Sequence, residues 1–558
     1  MAEMSVEFIG LILSLAIFLS LLLMPITSSL AQKVGAIDIP KLRSVHTTPK
    51  PRMGGLAISI SFVIICLIFF PLNTFFIAFL TGLIAIVITG SVDDIMEISP
   101  SWKFLGQFIS ATLFVYLSDI QVEHIGNILS IGDIQLGKAS MIFTIFLLVG
   151  IINALNFADG LDSLAGGISV IALAFLGYFA WSVNHHWLMI IAISLIGAII
   201  GFLRHNSYPT RVFMGDSGSM MLGYVLGVML VSLNHIAPQL PLSALAMVIA
   251  LPLFDTLSVM AGRIYSRNNP FLSDRRHLHH RLIDIGLSHP AVVSVIYLAM
   301  FAFGLLAIML QSKPDWVIFL SLVSAGLLMF SWFLFVRRSG ICSKKWTIPY
   351  FDKLRQSDVS KLMAHWLDRW HSIGITILVA LLLPVLFAPL FGLSGSKVLM
   401  LYGLAGLLVF FSFRTRRAAD LSILHGTLYL NIFALILVYN LSVLTQFSWL
   451  HEYISGLSVI ACLWVMLKLT LTECKEIIFS SDFELLVLLI IGFVVFIVME
   501  DLQVSPMVLQ AVQNTFLISI PFMIVMKINI RTHGQDRLYI FLPVIALVIM
   551  ATRVSLAY

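Results

Sequence analysis

Apolar runs of roughly 17–25 residues recur along the whole chain, and each is long enough to cross a hydrocarbon layer of about 30 Å as a helix. That repetition decides the fold class. Of the 558 residues, 59% are hydrophobic and only 11% are charged, against about 25% charged in a soluble domain. Every backbone N–H and C=O inside lipid needs an internal partner, and the alternating pattern of a barrel strand is absent, so the spanning elements are helices. The chain is read as an all-α polytopic integral membrane protein, not a soluble multidomain one. The first run, residues 5–27, is led by Glu3 without a basic flank, so it is expected to be a span and not a cleaved leader.

Spans are expected near 5–27, 55–71, 74–92, 105–120, 139–157, 163–183, 187–203, 218–234, 243–262, 291–311 and 316–336. A second set of about seven follows from residue 372. With the N-terminus outside, 29 of the 33 Lys and Arg residues fall in inner loops and 4 in outer ones, a strong orientation signal. The same asymmetry accounts for the net charge of +5 without a nucleic-acid partner. Cys66, Cys342, Cys462 and Cys474 show no CxxC or CxxH spacing, so neither disulfides nor zinc are expected. The organisation expected is a membrane domain over 1–340, a basic cytoplasmic linker over 341–371 and a C-terminal membrane module over 372–558.

Four polar clusters sit at inner span ends. Asp93-Asp94 closes the third span, and adjacent carboxylates at a membrane boundary are expected where a cation, substrate or proton is handled. In NALNFADGLDS, Asn153, Asn156, Asp159 and Asp162 recur every three residues. Neighbours in such a series share nearly one helix face, and Gly160 is expected to bend the chain so that all four point into one site. Asp216 lies between glycines in FMGDSGS, as a tight turn approaching a ligand would require. Mg²⁺ in phosphate sites uses one or two carboxylates plus phosphate oxygens, which suits Asp216. The fourth cluster packs Arg275, Arg276, His277, His279, His280 and Arg281 into seven residues, and Arg grips phosphate bidentately. His289 is expected to lie outside this cluster. No Walker loop is present, which weighs against ATP-driven transport.

These residues resemble the polyprenyl-phosphate N-acetylhexosamine-1-phosphate transferase family over roughly residues 1–340. The similarity runs in order through Asp38-Ile39-Pro40, PRMGG ending at Gly55, Asp93-Asp94 with Gln107, NALNFADGLDSLAGG, FLRHNSYPTRVFMGDSGSMMLG and PFLSDRRHLHHRL. Leu278 interrupts the three consecutive histidines usual in the branch that makes the first peptidoglycan lipid. Ser163 stands where Gly is common in the family, and Met53 where Val is common. The tail beyond about residue 340 departs from typical members.

The resemblance implies transfer of N-acetylhexosamine-1-phosphate, GlcNAc-1-phosphate first among the candidates, from a UDP-N-acetylhexosamine to undecaprenyl phosphate. UMP would be released at the cytoplasmic face of a bacterial inner membrane, starting a cell-envelope polysaccharide. It puts Asp216 and Asn153 on Mg²⁺, with Mn²⁺ as a substitute. It puts Asp93 or Asp94 on the lipid phosphate, Asn156, Asp159 and Asp162 on the nucleotide-sugar, and the His/Arg loop on pyrophosphate or sugar. A UDP-MurNAc-pentapeptide-type transferase and a transporter or flippase of lipid-linked sugars are the alternatives. The C-terminal module is expected either as a structural or oligomerising (homodimer-forming) extension or as a docking platform for pathway enzymes.

Overall fold

The computed structural model describes residues 6–39, 49–208, 210–266, 277–284 and 287–339, together with the single positions 486 and 489. Of the two units into which the chain divides, Met1–Lys344 and Lys345–Tyr558, these describe essentially the first. The linker 341–371, the module 372–558 apart from those two positions, and Arg275 and Arg276 lie outside the described residues.

The first unit is helical. Its helices are α1 (Val6–Val34), α2 (Gly54–Phe69), α3 (Thr74–Met96), α4 (Pro100–Ser118), α5 (Ser140–Ala158), α6 (Leu164–Ser182) and α7 (His186–Asn206). They continue as α8 (Asp216–Ile236), α9 (Leu242–Met247), α10 (Ala250–Tyr265), α11 (Leu278–Asp284), α12 (His289–Leu310) and α13 (Asp315–Ser339). Among the described residues, seven helices are long and apolar enough to cross a membrane: α1, α3, α5, α6, α7, α8 and α12. Each span expected from the sequence in this unit has a helix at its place. The ninth is broken into α9 and α10, because Pro252 has no N–H to return to the Val248 carbonyl and the ladder is interrupted there. The short α11, carrying the histidines, is an addition.

Helix α8 occupies the centre. Residues Ser217 to Asn234 are all buried along it, packed by α2, α3, α5 and α6. Lipid offers no hydrophobic drive for such packing, so close backbone approach must supply it. The sequence provides this with glycine. A Cβ at Gly55 would fall 2.1 Å from the Gly218 nitrogen, and one at Gly90 would fall 2.4 Å from the Ser217 Cα.

A two-strand hairpin, β1 (Ile37–Asp38) with β2 (Lys50–Pro51), leads into α2. The chain beyond it pairs with the approach to α8: Phe213 N donates to the Pro51 carbonyl (2.8 Å), Gly54 N to Phe213 (3.0 Å) and Gly55 N to Met214 (2.7 Å). The PRMGG and FMGDSG stretches are thus one interlocked unit, and it fixes where α8 begins.

Candidate active site

The site is built on the first turn of α8. Gly215 precedes it at φ 77, a conformation free to glycine and costly to other residues. A side chain there would also strike the Arg52 carbonyl oxygen and the Asp94 carboxylate. Asp94, from the end of α3, caps this turn. Its Oδ1 accepts from Asp216 N (2.8 Å), and its Oδ2 accepts from Ser217 N (3.1 Å) and Ser217 Oγ (2.7 Å). The capping bonds satisfy orphan helix donors, and the negative charge suits the helix N-terminus. Both Asp94 oxygens are therefore committed to holding Asp216 in place.

Asp93 points elsewhere. Its Oδ2 lies 2.6 Å from Lys103 Nζ, which is also 2.9 Å from Asp216 Oδ2. Its Oδ1 is buried with no hydrogen-bond partner. Lys103, in the first turn of α4, thus bridges two carboxylates from two other helices. Asn156 Nδ2 donates to the other oxygen of Asp216 and to Ser219 Oγ (2.9 Å). Asn153, expected beside Asp216, instead exchanges amide bonds with Gln107: Nδ2 donates to Oε1 (2.6 Å) and Gln107 Nε2 donates back (3.3 Å). Asn156 is the amide that reaches Asp216.

The period-three series does not converge on one point, because α5 ends at Ala158. Asp159 stands just beyond it, and its carboxyl is pushed up to about 8, first by burial and then by the charges of Asp216 and Asp94. Asp162 Oδ2 accepts from Thr210 N (3.0 Å), tying this turn to the α7–α8 connection. Asn206 reinforces the tie by accepting from Ser163 N (2.8 Å) and donating to the Val212 carbonyl (3.0 Å). Ser163 sits at φ 66, which explains why glycine would suit the position.

Gly160 serves proximity more than bending. A Cβ there would lie 2.1 Å from His279 Nε2, so the imidazole rests on this turn. Nε2 itself is buried without a hydrogen-bond partner. Burial, then His280, His277 and His289, pushes the His279 imidazole down to about 3, so it is neutral at physiological pH. His280 tilts against His279 at 4.3 Å, and Arg281 shares α11 with both. His277 stacks on Phe157 at 5.3 Å, joining the histidine helix to the end of α5. His289, expected outside this cluster, belongs to its edge: Nε2 accepts from Asp162 N (3.2 Å) and its ring stacks on Tyr208 at 4.7 Å.

Whether these residues suit Mg²⁺ turns on the donor set. Among the described residues, no group of three or more His, Cys, Asp or Glu forms a complete cage. Mg²⁺ in phosphate sites does not need one, since substrate oxygens and water complete its shell. Asp216 and the unpartnered Asp93 Oδ1, drawn together by one ammonium, fit that pattern.

Lys103, Asp255 in α10 and Asn206 belong to the site, although the sequence pattern does not single them out. For Lys103 the available signal was its position one helix start away from the Asp pair. For Asp255 it was an acidic residue inside an apolar run, which is costly without a task.

Residues 76–234 match the family model described as glycosyl transferase family 4. A probable undecaprenyl-phosphate N-acetylglucosaminyl 1-phosphate transferase of Bacillus subtilis is 34% identical over 299 residues, covering 53% of this chain and 83% of the relative. A decaprenyl-phosphate N-acetylglucosaminephosphotransferase of Mycobacterium tuberculosis is 34% identical over 307 residues, 49% of this chain and 76% of the relative. An undecaprenyl-phosphate alpha-N-acetylglucosaminyl 1-phosphate transferase of Escherichia coli K12 is 28% identical over 356 residues, 61% of this chain and 93% of the relative.

Proposed function

The chain belongs to glycosyl transferase family 4, and from that premise we propose that it transfers GlcNAc-1-phosphate from UDP-GlcNAc to undecaprenyl phosphate at the cytoplasmic face of a bacterial inner membrane. The observation that supports this reading best is the Asp93–Lys103–Asp216 bridge at the mouth of three helices, with the histidine helix laid over the adjoining turn. Carboxylates that hold a cation and imidazoles that hold a phosphate-rich ligand meet at one membrane boundary.

In the reaction an oxygen of the lipid phosphate attacks the β-phosphorus of the donor. The bond from that phosphorus to the bridging oxygen breaks, and UMP leaves with the oxygen. One phosphoanhydride is lost and one is made, so no ATP is required. Such a transfer is mainly a matter of positioning and charge neutralisation. Asp216 and Asp93 are the residues that would hold Mg²⁺, which would supply charge neutralisation on the pyrophosphate.

The residues of the chain do the rest. Asp94 holds the α8 turn and so sets the direction of Asp216. Lys103 holds Asp93 and Asp216 together in the resting site and carries a positive charge where the incoming phosphate must come close. Asp93 orients the lipid phosphate through Lys103, whose ammonium it holds 2.6 Å away; a phosphate with a second pKa near 6 needs little further deprotonation. Asp159 and Asp162 stand in the turn that would take the nucleotide-sugar, with Asn156 before it on α5; His277, His279, His280 and Arg281 would face its phosphates or sugar, and Arg275 and Arg276, just before His277 in sequence, would add positive charge.

The inside-facing assignment is supported by the charge pattern of the sequence, in which 29 of the 33 Lys and Arg residues fall where loops are expected on the side of these clusters. The test is incubation of the purified protein with labelled UDP-GlcNAc and undecaprenyl phosphate, with and without Mg²⁺. Label in a lipid-linked pyrophosphate together with stoichiometric UMP is expected. Absence of both with every UDP-N-acetylhexosamine tried overturns the reading.

A further inference from the structure

Asp255 is an acidic residue on α10 that the reaction described above does not use. Both oxygens of its carboxylate are engaged by the histidine helix: Oδ2 lies 2.9 Å from His277 Nδ1, and Oδ1 accepts from Leu278 N at 2.7 Å. Both side chains are largely withdrawn from solvent, 12% exposed for Asp255 and 8% for His277. A carboxylate placed this way presents only acceptors, so His277 must present Nδ1–H to it. The ring's orientation is then fixed, with Nε2 turned away from α10. The ring is held on its faces as well. Phe157 stacks on it at 5.3 Å, and His279 lies parallel to it at 6.0 Å and 7°. His279 in turn rests on Gly160, where a single added carbon would collide with Nε2.

The chain of contacts therefore runs from Asp255 to His277, to His279, to the Asp159–Gly160 turn. We propose that Asp255 is a positioning residue for the donor side of the site: by fixing the His277 ring and the first turn of α11, it sets how His279 lies over the turn that takes the nucleotide-sugar. This rests on the reading in which the histidine helix faces the UDP-sugar.

Asparagine discriminates this role from simple packing. Leu278 N–H can only donate, so it retains the single amide oxygen of an Asp255→Asn variant. The amide N–H₂ then faces His277 Nδ1, donor against donor, and the ring must turn or change tautomer. Asp255→Glu keeps two acceptors.

The experiment uses the full-length protein in lipid nanodiscs. For Asp255→Asn, the expected result is a KM for UDP-GlcNAc raised at least tenfold, with the KM for undecaprenyl phosphate changed less than twofold. Asp255→Glu should recover most of the loss. A second readout needs no turnover. In a His279→Cys background, the rate of methanethiosulfonate labelling, after subtraction of the same protein without that substitution, should rise at least tenfold when Asp255→Asn is added. Unchanged donor KM and unchanged labelling overturn the proposal, as does an equal rise in both KM values. If Asp255→Asn fails to insert, the same two measurements on Asp255→Glu decide, and wild-type values together with intact labelling protection at lowered thermal stability would make Asp255 merely structural and overturn the role. Should wild type not use UDP-GlcNAc, the functional reading fails, while the labelling comparison still decides whether Asp255 positions α11.

Discussion

The adjacent residues Asp93 and Asp94 should separate completely when each is changed to asparagine. Asp94 accepts three hydrogen bonds, from Asp216 N, Ser217 N and Ser217 Oγ, at 2.8, 3.1 and 2.7 Å. Hydrogen bonds to a charged group contribute about 1.5–3 kcal/mol each, and an unsatisfied buried donor costs about 1–3 kcal/mol. Asparagine offers one acceptor and turns an N–H₂ toward the helix donors. Asp94→Asn is therefore expected to cost about 2–4 kcal/mol. Asp93 differs, because its Oδ1 has no partner and Lys103 keeps Asp216 when the Asp93 charge is removed. Asp93 is itself buried, but the amide oxygen of asparagine can still accept from Lys103 and no buried charge is stranded, so Asp93→Asn should cost about 1 kcal/mol. At about 2–4 °C per kcal/mol for a domain of 150–250 residues, and less for a longer one, the apparent Tm of the nanodisc-embedded protein should fall several degrees for Asp94→Asn and hardly move for Asp93→Asn. Both should lose transfer activity by at least a hundredfold, the first by misplacing Asp216 and the second by removing a reacting-site group. A stable Asp94→Asn protein, or an unstable Asp93→Asn one, would refute the division of labour.

Other outcomes follow from the same geometry. Lys103→Met, which leaves Asp93 and Asp216 facing each other without their shared cation, should abolish turnover and lower apparent Tm; Lys103→Arg retaining a measurable fraction in the UMP-release assay would be consistent, and wild-type turnover by Lys103→Met would not. Ser163, at φ 66, should accept glycine without loss of apparent Tm, whereas Ser163→Val should cost about 1–3 kcal/mol of backbone strain on the same thermal scan. The Asp159 carboxyl, near 8 when folded and about 3.9 when unfolded, binds its proton more tightly in the native state. Its contribution is full below the unfolded value and is lost as pH rises toward 8, by up to about 1.4 kcal/mol per unit. In EDTA, apparent Tm should accordingly fall between pH 5 and pH 8 more steeply in wild type than in Asp159→Asn, and parallel slopes would remove Asp159 from this account. Truncation after residue 345 should leave transfer intact, since the Escherichia coli relative aligns over 93% of its own length with only 61% of this chain; a stably inserted, inactive truncation would contradict it.

The helices were legible because lipid leaves the backbone little choice. The division of the Asp pair was not legible, for a reason in helix geometry. Consecutive helical residues point about 100° apart, so Asp93 and Asp94 necessarily address different neighbours. Which neighbour each meets depends on α4 and α8, more than a hundred residues apart in sequence at Lys103 and Asp216. The same limit applies to Asn153 and Asn156. Their spacing of three suggested one target, yet one turn along α5 the neighbour changes from Gln107 to Asp216. Asp255 was legible in principle, as an acidic residue within an apolar run, but its meaning depended on His277, 22 residues further along the chain.

The composition of the site carries an argument of its own. Buried polar atoms in folded proteins are nearly always paired, and the α8 cap shows this chain pairing them fully, down to both oxygens of Asp94. Against that standard, Asp93 Oδ1 and His279 Nε2 are both buried without a partner. One lies beside Asp216 through their shared lysine, and the other lies over the Asp159–Gly160 turn. An acceptor next to the carboxylates and an imidazole atom over the neighbouring turn are left open where a bridging, phosphate-rich ligand would have to fit. Other buried atoms also lack a partner, His186 Nδ1, His289 Nδ1 and several hydroxyls among them, so it is the position of these two beside the site that matters. A ligand that is cationic at one end of its contacts and anionic at the other, as a metal-bound pyrophosphate would be, would give both atoms a partner.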